Sequence, residues 1–129
     1  MKITQIKETC LYVQNLDISQ KFYNETLGFP VIGQAENRHA FFRAGTSVLL
    51  CFNPEATKNE TKLPLHYAFG PQHIAFEVKE HDYQIWLEKI KTEGIKIIHI
   101  QEWKNNQSSF YFHDPDGNVL EIIPEGIWE

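Results

Sequence analysis

A chain of 129 residues and 15.1 kDa holds one hydrophobic core rather than two, and its 42% hydrophobic and 22% charged residues exclude intrinsic disorder. Twelve Lys+Arg against seventeen Asp+Glu leave a net charge of −5, with the basic residues scattered, which excludes a nucleic-acid partner. Cys10 and Cys51 share no metal-type spacing and build no disulfide framework, and the N-terminus carries no signal peptide and no run of about 18 apolar residues occurs, so a cytoplasmic protein without a membrane partner is expected.

From Ile6 to Val13 apolar and polar residues alternate, which predicts a strand ending near Asn15. A helix follows, with Asp17 as N-cap, an apolar face of Ile18, Phe22 and Leu27, and Gly28 to close it in the left-handed conformation. Three strands are predicted near Val31–Gln34, Arg38–Arg43 and Ser47–Phe52, separated by turns at Glu36-Asn37 and Ala44-Gly45-Thr46. Residues 53–71 contain three Pro, several charges and no period, which predicts a surface connection. The same order then returns. A strand at Gln72–Val78 precedes a helix from about Asp82 to Glu93, with Tyr83, Trp86, Leu87 and Ile90 as its buried stripe and Gly94 as its stop. Strands near Ile95–Gln101, Ser108–His113 and Asn118–Ile123 complete the chain, and Asp114-Pro115-Asp116-Gly117 predicts a type I turn between the last two.

Laid on each other, the halves match Glu8–Val13 with His73–Val78, Gly28 with Gly94, and Val48-Leu49-Leu50 with Val119-Leu120-Glu121. The expected fold class is therefore α+β, built from two βαβββ modules of about residues 1–53 and 71–129 with a connection at 54–70. The repeat makes Glu8 equivalent to His73 and Leu50 equivalent to Glu121, so three of four equivalent positions carry metal-capable side chains. Two carboxylates and an imidazole suit Mn, Fe, Ni, Co or Zn as a divalent ion with open coordination sites. Glu121 interrupts the apolar run 118–123, a costly place for a carboxylate that faces neither water nor a partner.

The residues Leu11-Tyr-Val-Gln-Asn-Leu16, Lys21-Phe-Tyr23, Leu27-Gly-Phe29 and Phe110-Tyr-Phe-His-Asp-Pro-Asp-Gly-Asn-Val-Leu-Glu121 resemble the vicinal oxygen chelate superfamily of glyoxalase I, fosfomycin-resistance and bleomycin-resistance proteins and extradiol dioxygenases. The resemblance spans nearly the whole chain. It implies a cup-shaped sheet, a divalent metal held by Glu8, His73 and Glu121, and a homodimer with shared sites, in which Glu8 of one subunit joins His73 and Glu121 of the other. Where glyoxalase I carries a Glu on the last strand of its first module this chain has Leu50, so three-ligand members are the nearer comparison. By similarity to the fosfomycin-resistance group, Lys104, Ser109 and Tyr111 are implied to contact substrate.

Alternation places His39, Phe41 and Arg43 on one face of their strand. Since a catalytic Glu of the hydrolytic fosfomycin branch falls near His39, that ring is a candidate general base. Cys10 and Tyr12 follow Glu8 on one face and are expected to line the substrate site as walls, and Trp103 is a candidate aromatic contact. His66, in Pro64-Leu-His-Tyr-Ala-Phe69, competes with His73 for the metal but sits in a Pro-bounded connection at the wrong spacing. Two readings result. In the leading one the chain is an enzyme whose metal acts as a Lewis acid on a small substrate with vicinal oxygens, with Glu121 and His39 in the chemistry. The reaction is a lyase or isomerase step, an epoxide opening by thiol or water, or dioxygenation. In the alternative it is a metal-free antibiotic-binding protein, with Trp103, Tyr111 and Phe41 as a stacking surface.

Overall fold

Strand β1 (Glu8–Tyr12) runs parallel to β4 (Ser47–Phe52), which pairs antiparallel with β3 (His39–Ala44), which pairs with β2 (Val31–Ala35). Strand β5 (His73–Val78) runs parallel to β8 (Val119–Pro124), followed in the same way by β7 (Ser108–His113) and β6 (His99–Glu102). The two four-stranded sheets therefore have one order, β1-β4-β3-β2 and β5-β8-β7-β6. The computed structural model describes residues 1–129, which form two compact units, Met1–Gly70 (unit 1) and Pro71–Glu129 (unit 2). The fold is the α+β class expected from the repeat. No helix is long and apolar enough to cross a membrane.

In unit 1, α1 (Leu16–Gln20) is capped by Asn15, whose Oδ1 accepts the Ile18 N–H at 3.0 Å. The cap thus lies two residues before the expected Asp17, which instead sits in the first turn where the helix dipole favours a carboxylate. The helix then widens into π-type turns over Lys21–Thr26, with Leu27 N–H bonding to Phe22 O at 3.1 Å. Gly28, at φ +77°, closes it as its sequence position predicts. Buried Tyr23 meets Phe42 at 5.6 Å between ring centroids, so the helix covers the Leu11, Phe42 and Leu49 face of the sheet. Within the connection a short helix, α2 (Pro54–Thr57), starts from an Asn53 cap.

In unit 2 a 3-10 turn at Glu80–Asp82 leads into α3 (Tyr83–Thr92), which has no side-chain cap. Leu87 and Ile90 are buried, Tyr83 packs edge-on to Phe110 at 5.6 Å, and Trp86 is half-buried under Lys89. This packing buries Phe110, Phe112, Leu120 and Ile122, each contributing roughly 1.5–3 kcal/mol. Because side chains alternate across a strand, the neighbours Tyr111 and Glu121 point to the opposite face. Strand β6 begins at His99, four residues later than the sequence predicts. His99 pairs with Tyr111, so Ile95 and Lys96 would lie opposite the Asp114–Gly117 turn, where β7 has already ended.

Candidate metal centre

Parallel pairing sets the site. Register joins His73 to Val119 and Ala75 to Glu121, while β7 places Tyr111 across from Glu121, so His73, Glu121 and Tyr111 share the face that α3 does not cover. The Asp114–Gly117 turn locks this arrangement from beneath. Asp114 Oδ1 accepts the backbone N–H groups of Asp116 and Asn118, each at 2.9 Å, and its Oδ2 accepts the Asn118 side-chain amide at 2.8 Å. Asn118 Oδ1 in turn accepts the Gln72 N–H at 2.9 Å, and the Val119 N–H bonds to Gln72 O at 2.8 Å. Asp114 and Asn118 are both buried. The network therefore ties the residue before His73 to the residue before Val119.

His73 Nδ1–H donates to Val119 O at 2.9 Å. That bond fixes the tautomer and leaves the lone pair on Nε2, 3.4 Å from Glu121 Oε2. The Glu121 carboxylate and the His73 Nε2 thus converge on one point, where a shared cation or proton joins them. The Glu121 side chain is 5% exposed, and its Oε1 has no hydrogen-bond partner. An ionised carboxylate in that position is costly unless a cation or donor completes it. These two side chains fit a divalent ion in donor type and orientation. Tyr111 stacks on His73 at 5.9 Å. Burial, and then the Glu121 carboxylate beside it, raise its hydroxyl pKa, so the phenol keeps its proton at neutral pH.

The remaining expected residues fall into separate groups. Glu8 is exposed at the start of β1 and pairs with Val48. Neither unit by itself brings three His, Cys, Asp or Glu side chains together. Cys10 and Tyr12 follow Glu8 on one face of β1, and burial foremost raises both their pKa values, the Cys10 thiol being raised also by Glu8. Leu50, partner of both Cys10 and Phe41, is buried. Beside it Phe52 meets Tyr12 at 6.4 Å, Phe41 at 5.4 Å, His39 at 6.1 Å and His66 at 5.1 Å. This face of unit 1 is aromatic where the equivalent face of unit 2 carries the donors.

His39 stacks on Phe41 at 4.0 Å, and its Nδ1 lies 2.5 Å from Arg38 Nη1. Since the guanidinium can only donate, the lone pair a general base needs is already taken, and Nε2–H remains. Burial first, and Arg38 second, lower the His39 pKa and keep the ring neutral. Lys104 is exposed on a 3-10 turn, Lys104–Asn106, and with Trp103, Gln107 and Trp128 lines a cleft of about 460 Å³. Trp103 Nε1–H donates to buried Ser109 Oγ at 2.8 Å and its ring meets Trp128 at 5.1 Å. His66 Nδ1 is engaged with Pro64 O at 2.7 Å, and the ring packs on Phe52.

Sequence reasoning missed His99, whose ring lies 5.8 Å from Tyr111, and the bidentate pair Arg38–Glu60. Alternation in His99-Ile-Gln101 was a signal for the first. No local signal existed for the second, because its partners are 22 residues apart.

The sequence model of the Glyoxalase/Bleomycin resistance protein/Dioxygenase superfamily matches residues 5–122. The chain is 28% identical over 123 residues to Metallothiol transferase FosB of Staphylococcus epidermidis, covering 95% of this chain and 82% of that one. It is 29% identical over 123 residues to Glutathione transferase FosA of Serratia marcescens, covering 93% and 80%. The crystal structure of lactoylglutathione lyase from Agrobacterium tumefaciens superposes with a TM-score of 0.94 at 27% identity, covering 99% of this chain and 98% of that one.

Proposed function

The chain belongs to the glyoxalase/bleomycin resistance protein/dioxygenase superfamily, and we propose that within it the protein is a divalent-metal-dependent enzyme acting on a small substrate with vicinal oxygens. His73, Glu121 and Glu8 are its protein donors. The observation that carries this reading is the buried Glu121 carboxylate, with one oxygen unpartnered and the other 3.4 Å from His73 Nε2. Similarity to a metallothiol transferase and to a glutathione transferase favours opening of a strained or activated substrate by a thiol over dioxygenation.

The ion supplies Lewis-acid polarisation of the neighbouring substrate oxygens. The chain supplies the rest. Val119 O holds His73 in the ligating tautomer, Glu121 provides a carboxylate on a central strand, and the Tyr111 hydroxyl, hydrogen-bonded to Glu121, orients that carboxylate. Leu50 at the position equivalent to Glu121 leaves three protein donors and open coordination for substrate. A metal-free binding protein has no use for a buried carboxylate oxygen left without a donor. As the family resemblance implies, we place Glu8 of one subunit with His73 and Glu121 of the partner subunit in a homodimer.

Calorimetry on chelator-stripped protein with Mn(II), Ni(II), Zn(II) and anaerobic Fe(II) tests the reading. One tight equivalent per chain, lost in Glu121→Gln, supports it, and absence of binding by every ion overturns it. A Glu8→Ala/His73→Ala hybrid dimer recovers one wild-type site if the donors are shared and none if they are not.

A further inference from the structure

Arg38 is half-buried in the turn immediately before β3 and held from three sides. Its Nε and Nη2 donate to the two carboxylate oxygens of Glu60 at 2.6 and 2.9 Å, its Nη1 donates to His39 Nδ1, and its guanidinium lies 5.5 Å over the Phe52 ring. Two of these holders, His39 and Phe52, belong to the sheet. The third is different. Glu60 stands on the irregular connection between α2 and β5, so it can leave while the sheet keeps the guanidinium in place.

Arg38 and Glu60 border a cavity of about 420 Å³ lined also by Asn59, Thr61, Lys62 and Leu63. That volume lies in the range of small-molecule sites, roughly 300–1,000 Å³. Two cations against one carboxylate make it locally positive in a chain of net charge −5, and Lys62 forms no ion pair of its own. Three of the five guanidinium N–H groups are engaged and two remain. A tether between connection and sheet needs neither the third contact on His39 nor a second, unpaired cation.

We propose that Arg38 anchors a subsite for the carboxylate, phosphate or phosphonate end of a small ligand, and that Glu60 is the built-in occupant which such a ligand displaces. The planar fork suits any of these oxyanions bidentately. This assignment rests on the reading above only for its place in an enzyme, since the contact itself uses no metal.

The test uses the full chain, chelator-treated, titrated with benzoate, phenylphosphonate and neutral benzamide, and read by calorimetry and by the ¹⁵N shift of Arg38 Nε. Saturable binding of at least one anion, one per chain, moving the Arg38 signal and weakening with salt, is the expected result. Which of the two binds more tightly separates a carboxylate from a phosphonyl ligand. Arg38→Gln is expected to weaken binding about tenfold or more, and Arg38→Lys, which keeps the charge without the fork, by less. The decisive variant is Glu60→Gln. Removal of the internal anion is expected to tighten binding roughly threefold to tenfold, whereas a mere tether predicts no gain. No saturable binding of either anion overturns the proposal. So does equal binding of benzamide, or a folded Glu60→Gln that binds no more tightly than wild type. Glu121→Gln is expected to bind the anions as wild type does, so failure of the metal reading and failure of this one are read separately.

Discussion

The two sheets share strand order, parallel pairing and register, yet their uncovered faces differ in chemistry. Glu8, Cys10, Leu50 and Phe41 in unit 1 occupy the places of His73, Ala75, Glu121 and Tyr111 in unit 2. The first set adjoins an aromatic cluster around Phe52, and the second contains a paired imidazole and carboxylate. Their closures differ as well. In unit 1 the strand ends are joined through exposed groups, with Ser47 Oγ on Ile6 O at 2.8 Å and the Val48 N–H on Lys7 O at 2.9 Å. In unit 2 the corresponding link runs through buried Asp114 and Asn118. The strand order is the same in both, and the buried link belongs to the unit that carries the metal-capable pair.

Exchanging the equivalent positions breaks this comparison most strongly. Glu121→Ala is expected to weaken divalent-metal binding roughly a hundredfold or more by calorimetry, with little loss of thermal stability in the metal-free chain, because an uncompensated buried carboxylate is removed. Leu50→Ala should do the reverse, leaving metal affinity unchanged and costing about 2–4 kcal/mol in denaturant unfolding. Equal effects of the two on metal affinity would abolish the distinction between the faces.

The closures give the next contrast. Asn118→Ala is expected to cost about 1–3 kcal/mol, as it strips partners from Asp114 and Gln72, and to lower metal affinity about tenfold by releasing His73. Ser47→Ala should stay within roughly 0.5 kcal/mol. The helices differ less. Asn15→Ala removes the α1 cap and should cost about 1 kcal/mol, whereas Asp82→Ala at the start of α3 breaks no capping bond and should cost measurably less.

Acid sensitivity sharpens the comparison at the smallest scale. His39 has a folded pKa below its ordinary value through burial and Arg38, so protonation favours the unfolded chain. Its contribution to stability is complete above the unfolded value of about 6.5 and is lost as pH falls from there through the folded value. Ser109, its equivalent in unit 2, does not titrate. The stability advantage of wild type over His39→Gln should therefore shrink as pH drops from 7 to 5, as followed by their thermal midpoints.

Much of the fold was legible in the sequence. Strands Ser47–Phe52 and Ser108–His113 have the predicted bounds, Gly28 and Gly94 stop their helices with φ of +77° and +76°, and the turn at 114–117 closes with Gly117 N–H on Asp114 O at 3.1 Å. Two of the repeat's three anchor points coincide with the register of β1 on β4 and of β5 on β8, and the third is the pair of helix-ending glycines. The Asn15 cap, the π-type turns after Gln20 and the late start of β6 were not legible. The last two depend on what packs or pairs at a distance, to which local propensity is blind, and the first is a local choice between two good capping residues, Asn15 and Asp17.

Strand period, turn chemistry and left-handed glycines belong to the sequence alone, because steric limits within a few residues decide them. Those same local rules made Glu8, His73 and Glu121 candidates by position. Tertiary structure decided their chemical state. Whether a histidine keeps a free lone pair depends on what its other nitrogen touches: Val119 O frees Nε2 of His73, while Arg38 takes Nδ1 of His39. Whether a carboxylate oxygen is satisfied depends on groups that neighbouring strands bring beside it, and Glu121 Oε1 is left without one. Distances between strands, rather than letters along the chain, separate a metal-capable pair from a packed histidine.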